Sequence, residues 1–194
     1  MTDQETLRVY DASVDEYAGL VADEPEGLRD FMSDLPKAAH VLDLGCGTGE
    51  AAKFMSDAGF KVDAVDGSAE MVRHVQETHG INARQMFFDE LEGDNLYDGA
   101  WVSFSLLHAA KADFPTHLNA LHRALKSGGR LTLGMKLGEG EHRDSIGRMY
   151  AYYSIKELED HLRTAEFTIL GHLTGKGKGL SGSVDPYAVI SAHA

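Results

Sequence analysis

Three alternate glycines, Gly45, Gly47 and Gly49, follow a short apolar run and are flanked by acids at Asp43 and Glu50. That spacing lets a backbone turn sharply at a strand end and admits a ligand against the main chain, where a Cβ would block it. A helix starting near Glu50 turns its free N–H groups toward the same point. The spacing differs from the G-x-G-x-x-G of dinucleotide sites, because Glu50 stands in the third glycine's place and its carboxylate repels a pyrophosphate. Asp66 ends the next apolar run, 21 residues after Gly45, where an acid in a nucleotide-binding α/β fold accepts hydrogen bonds from ribose hydroxyls. These residues describe a ligand with a ribose, no pyrophosphate and a cationic end.

Other side chains have two readings each. His108, after a fourth apolar run, is either a neutral imidazole that takes a proton from an acceptor or a histidine packed at a helix end. Tyr10 and Tyr17 either fold over the ligand as part of an N-terminal lid spanning 1–36 or mark a plain helix face. The stretch 136–144, with Lys136, Arg143 and then Tyr150 and Tyr153, reads as a charged loop at the carboxyl end of the sheet. There Lys136 and Arg143 either hold an anionic acceptor or are solvated. Cys46 lacks a basic neighbour and reads as a small filler. The ten histidines include no H-E-x-x-H or comparable cluster, so no metal is expected.

The elements that must position these residues alternate. Strands are expected at 40–44, 60–65, 82–88, 97–104 and 130–135, separated by amphipathic helices at 50–58, from Ser68 to Gly80, and from Pro115 until Ser127, Gly128 and Gly129 stop it. A capping box at Ser154 and Glu157 opens a further helix, and two last strands, 167–174 and 187–192, join through a Gly-rich segment. The alternation predicts an α/β, Rossmann-like, doubly wound sheet of seven strands, mostly parallel, with an antiparallel C-terminal hairpin strand.

The 194 residues suit one domain without disulfide or metal staples. With 31 acids against 18 bases the net charge is −13, which disfavours nucleic acid and anionic lipid as partners. One cysteine, no leader-like N-terminus and no apolar stretch of membrane-spanning length lead to the expectation of a cytoplasmic protein without a membrane partner. Oligomeric state is not legible.

The run 41–50, the residues Val65 to Met71, the stretch from Tyr97 to His108 and the segment from Ala124 to Leu131 resemble class I S-adenosylmethionine-dependent methyltransferases, most nearly small-molecule enzymes of the tellurite-resistance and ubiquinone-biosynthesis type. The resemblance implies S-adenosylmethionine as cofactor and S-adenosylhomocysteine as product. Gly45, Gly47 and Gly49 would line the methionine moiety, Asp43 its ammonium, Asp66 with Gly67 and Ser68 the ribose, and Met71 the adenine. The family's adenine-side acid falls here on Phe87, so Phe88 and Asp89 stand in for it, while Ser103 and Phe104 would line the cofactor after the fourth strand. Ser103-Phe104-Ser105-Leu106 replaces the Asn/Asp-Pro-Pro-Tyr motif of nucleic-acid amine methyltransferases, and no Pro-Cys pair is present. The implied reaction is in-line methyl transfer to a small-molecule acceptor. The alternatives are a non-catalytic S-adenosylmethionine-binding module and, disfavoured by Glu50, a nicotinamide-dependent oxidoreductase.

Overall fold

A computed structural model describes residues 3–20 and 24–194; Met1, Thr2 and residues 21–23 of the expected lid lie outside the described residues. Helices α1 (Gln4–Ala12), α2 (Val14–Ala18) and α3 (Leu28–Ser33) lead into β1 (His40–Leu44), α4 (Glu50–Asp57), β2 (Lys61–Asp66), α5 (Ala69–His79) and β3 (Arg84–Gln85). There follow β4 (Tyr97–Ser103), α6 (Phe114–Ala124), β5 (Leu125–Lys136), β6 (Glu141–Arg143), β7 (Met149–Ala151), α7 (Ile155–Thr164), β8 (Thr168–Lys178) and β9 (Val184–His193). Local chemistry fixes the helix ends. Asp3 accepts the Thr6 N–H at 2.8 Å to start α1, and Ser68 Oγ accepts the Met71 N–H at 3.1 Å to start α5. Gly80, at φ 66°, closes α5, and the Ser154–Glu157 box opens α7.

The main sheet has the order β3-β2-β1-β4-β5-β9-β8, parallel from β3 to β5, with β9 antiparallel to both its neighbours. Side chains alternate across it. Leu42, Leu44, Ala100, Val102, Leu131 and Leu133 face α6 and α7, whereas Val41 and Trp101 pack with α3 and α4, and Ala64 with α4 and α5. Both faces are therefore covered, which explains why these strands read as continuous apolar runs. Among the described residues, no helix is long and apolar enough to cross a membrane.

Four local expectations are corrected. The third strand shrinks from 82–88 to Arg84–Gln85, because the chain turns into a 3-10 helix, Phe88–Glu90. Gly128 and Gly129 sit inside β5, in an irregularity where two steps along β4 face five along β5. Gly128 takes φ +76° there and donates to the Ala194 carbonyl. The Gly-rich segment is largely strand, leaving only the turn between β8 and β9. The charged loop 136–144 begins in β5 and contains β6, which pairs with β7 as a separate two-stranded sheet.

Phe114 ties α6 to the far end of the chain, its ring 4.8 Å from that of Tyr153 and 5.5 Å from that of His161. Phe114→Ala should destabilise the fold by about 3–5 kcal/mol through transfer and cavity terms. Urea unfolding followed by circular dichroism measures this, and a loss under about 1 kcal/mol, the average for any substitution, would refute the packing role.

Candidate active site

The glycine turn after β1 is built by contacts of the protein with itself. The N–H groups of Gly45 and Cys46 both donate to the Val65 carbonyl, at 2.8 and 2.9 Å, hooking the turn onto β2. Gly45 adopts φ +78°, and a Cβ on it would lie 2.2 Å from Ser105 Cβ, whose hydroxyl donates to the Leu44 carbonyl at 2.6 Å. At Gly49, φ +92°, a Cβ would lie 2.8 Å from Val75 on α5. Gly49 thus serves helix packing and lines neither of the two clefts at the carboxyl end of the sheet, contrary to the expectation that all three glycines meet the ligand. Gly45 and Gly47 do line them.

Two adjoining clefts open at the carboxyl ends of β1, β2, β4 and β5, enclosing about 660 and about 1310 Å³ of space that includes open solvent. Tyr10, Tyr17, Gly45, Gly47, Ser103 and Phe104 line both, so the two share a wall. The inner cleft adds Asp66, Gly67, Met71, Phe87, Phe88 and His108. The outer adds Asp43, Glu50, Trp101, Lys136, Arg148 and Tyr150. Ser68 lies beneath, buried, and donates to Asp11 on α1 at 2.5 Å. Asp89 is on the exposed side of its 3-10 turn and lines neither cleft.

The acids differ in their partners. Asp66 accepts the N–H groups of Gly47 at 2.9 Å and Ser68 at 2.8 Å, yet burial holds its pKa above the ordinary carboxylate value. Glu50 accepts from the Thr48 hydroxyl at 2.7 Å. Asp43 is 2% exposed and its Oδ2 has no hydrogen-bond partner. Burial, aided by the charges of Asp66 and Glu50, pushes its carboxyl up to about 8. A buried carboxylate oxygen without a donor is costly, and a cationic ligand group is the partner that would relieve it.

Around His108 the hydrogen bonds have one direction. Nδ1 lies 2.7 Å from the Met149 carbonyl, which only accepts, so the ring proton is on Nδ1 and Nε2 accepts the Tyr10 hydroxyl proton at 2.8 Å. The Tyr10 oxygen in turn accepts from Arg148 Nη1 at 2.8 Å. Burial lowers the His108 pKa to about 3, so the imidazole is neutral at physiological pH. Arg148 is 1% exposed; its Nε and Nη2 donate to Asp144 at 3.0 and 2.8 Å, and its guanidinium lies over the Tyr10 and Tyr150 rings. Lys136 Nζ pairs with Asp185 at 2.7 Å and sits 3.9 Å from the Tyr150 ring centroid.

Two expected acceptor residues lie elsewhere. Arg143 is exposed and lines neither cleft, its guanidinium taken by Asp3 at 2.9 and 2.8 Å and by Glu5 at 3.3 Å. Tyr153 is buried against Phe114, away from both clefts. Arg148, Asp144 and Asp185 were not singled out in the sequence. A signal existed for the first two: Asp144 accepts the N–H groups of Ile146 and Arg148, the turn chemistry an Asp two residues before a Gly-containing tip advertises. Cys46 is buried, and burial drives its thiol pKa well above the usual range, so it is inert.

Comparison with known proteins agrees with this architecture. A family described as "Methyltransferase domain" matches residues 41–129. An uncharacterized methyltransferase of Staphylococcus carnosus (strain TM300) is 24% identical over 179 residues, 87% of this chain and 86% of the relative. The ubiquinone/menaquinone biosynthesis C-methyltransferase of Rubrivivax gelatinosus is 35% identical over 99 residues, 47% of this chain, which spans 37% of that relative. The crystal structure of Burkholderia thailandensis 1,6-didemethyltoxoflavin-N1-methyltransferase, with 1,6-didemethyltoxoflavin and S-adenosylhomocysteine bound, superposes with a TM-score of 0.64 at 24% identity, over 98% of this chain and 79% of that one. At that identity the likeness is one of fold. Residues 41–129 thus match a methyltransferase-domain family, and the sheet order over the whole chain is the fold shared with solved S-adenosylmethionine-dependent methyltransferases.

Proposed function

We propose that the chain transfers the methyl group of S-adenosylmethionine to a small acceptor held in the outer cleft, releasing S-adenosylhomocysteine. The observation that carries this reading is the unpaired oxygen of Asp43, a residue lining a cleft that adjoins the one lined by Asp66. Asp43 would hold the cofactor's ammonium, Asp66 the ribose hydroxyls, Gly45 and Gly47 its methionine moiety, and Met71, Phe87 and Phe88 the adenine. When bound, the cofactor supplies a methyl group already activated on a sulfonium.

The protein's own contribution is alignment, which can be worth about 7–11 kcal/mol. Helices α1 and α2 act as a lid: Tyr10 and Tyr17 wall both clefts, and α1 is bound to the core through Asp11 and Tyr10. Residues of the lid and of the β8–β9 turn, among them Pro25, Glu26 and Gly179, line the outer cleft, whose size suits a small molecule. Because both its nitrogens are engaged, His108 positions Tyr10 and does not meet the acceptor directly. The test of the whole reading is production of S-adenosylhomocysteine, followed by mass spectrometry, from S-adenosylmethionine and a panel of small hydroxy, amino and thiol compounds.

Asp66→Ala should weaken S-adenosylhomocysteine binding by roughly 1–3 kcal/mol, measured by calorimetry; unchanged affinity would remove Asp66 from the site. For Asp43 the sign is definite. Its folded pKa of about 8 exceeds the ordinary 3.8, so between those values the native state holds a proton the unfolded chain has lost, and free-protein stability falls as pH rises. An ammonium-bearing ligand prefers the ionised form, so affinity climbs with pH and levels off near 8. Thermal unfolding of wild type and Asp43→Asn across that window, with and without S-adenosylhomocysteine, should show both slopes reduced in the variant.

His108→Ala should lower turnover while cofactor affinity holds. With the His108 pKa near 3, the wild-type pH–rate profile should contain no inflection from this residue between pH 5 and 8. A break near pH 6.5 that vanishes in the variant would instead make it a general base.

A further inference from the structure

The outer cleft contains two cations that converge on one point. The place a Cβ of Gly179 would occupy lies 3.7 Å from Lys136 Nζ and 3.9 Å from Arg148 Nη2. Gly179 does not have a positive φ, so its backbone does not require glycine; the missing side chain leaves space beside the two charges. Neither cation has exhausted its donors. Arg148 spends three N–H bonds, two on Asp144 and one on Tyr10, and a guanidinium carries five. Lys136 gives one to Asp185 and rests over the Tyr150 ring.

The donors left over on Arg148 lie at the wall of the outer cleft, where an anionic ligand group would meet them. The two remaining on Arg148 and at least one on Lys136 exceed the two lone pairs of a neutral carbonyl oxygen and match the roughly four acceptor sites of a carboxylate. Asp144 and Asp185 hold the cations in place, so the site is ordered before an anion arrives. Trp101, Leu107 and Phe104 give the cleft an apolar wall that suits an apolar body, while its acids Asp43 and Glu50 lie at the glycine turn.

We propose that Arg148 and Lys136, converging beside Gly179, form a carboxylate-binding subsite, so that the acceptor is a small organic acid with an apolar body and the methylated atom lies away from this carboxylate. This rests on the reading of the outer cleft as the acceptor site. Arg148 and Lys136 are then specificity-determining residues, and the apolar body extends from them toward the junction with the inner cleft.

Benzoate and its neutral isostere benzamide, each at millimolar concentration, test this by thermal shift and calorimetry on the full chain saturated with S-adenosylhomocysteine. Benzoate should bind at least about tenfold more tightly than benzamide, the discrimination expected of charge-assisted hydrogen bonds. Lys136→Gln should remove most of that preference. Because Arg148→Gln leaves Asp144 buried and risks misfolding, Gly179→Val is the second variant: its side chain fills the space between the cations and should weaken benzoate about tenfold or more. Equal binding of the two probes, binding of neither, or a preference that survives both variants would overturn the subsite. Titration with S-adenosylhomocysteine alone separates the failures: no binding there refutes the cofactor reading, whereas normal binding with no benzoate preference refutes only the carboxylate subsite.

Discussion

No side chain fits at position 45, and the rest of the site follows from that. With its Cα pressed to Ser105, Gly45 brings the end of β1 against the start of the segment after β4, and the Ser105 hydroxyl caps the Leu44 carbonyl from there. The same turn gives two N–H groups to Val65 on β2, while Asp66, one residue on, reaches back to the Gly47 N–H. Three neighbouring strands are thereby locked to one loop, by main-chain bonds to Val65 and by the side chains of Ser105 and Asp66. The cleft is shaped before any ligand enters, so little ordering entropy remains to be lost on binding.

Charge is sorted within this frame. Asp43, Glu50 and Asp66 gather at the ends of β1 and β2, while Lys136 and Arg148 come from β5 and the segment beyond it, each with its own carboxylate partner. The chain's net charge of −13 does not describe this interior: a field averaged over the surface disfavours anions, whereas a desolvated guanidinium acts over a few ångströms where screening is weak. Buried pairs such as Arg148–Asp144 contribute little to stability. Their retention in a cleft is better explained by binding.

How much of this was legible depends on what sets each residue's position. Asp43 and Asp66 sit at the carboxyl ends of apolar strands, and the glycines at the turn that follows, so the parallel sheet, the glycine turn and its acids could be read from the sequence. The two arginines of the segment 141–149 could not. Arg143 and Arg148 belong to one hairpin, and only the pairing of Arg143 with Met149 decides that the first points to α1 and the second into the cleft. Tyr150 and Tyr153 divide in the same way. Gly128 and Gly129 look like a helix stop because a bulge and a turn ask for the same residue; only the partner strand, absent from local sequence, distinguishes them.

Helix α1 is the first element of the chain and is fastened by one of the last. Thr6 receives the Met149 N–H across 143 positions, Asp3 holds Arg143 across 140, and Tyr10 meets Arg148 across 138. Contacts of such separation bear the full entropy of closing the intervening chain and form late in folding. During synthesis from the N-terminus, β1, the glycine turn and β2 emerge well before the hairpin that seats α1. Helix α1 is therefore seated over the cleft no earlier than the synthesis of that hairpin.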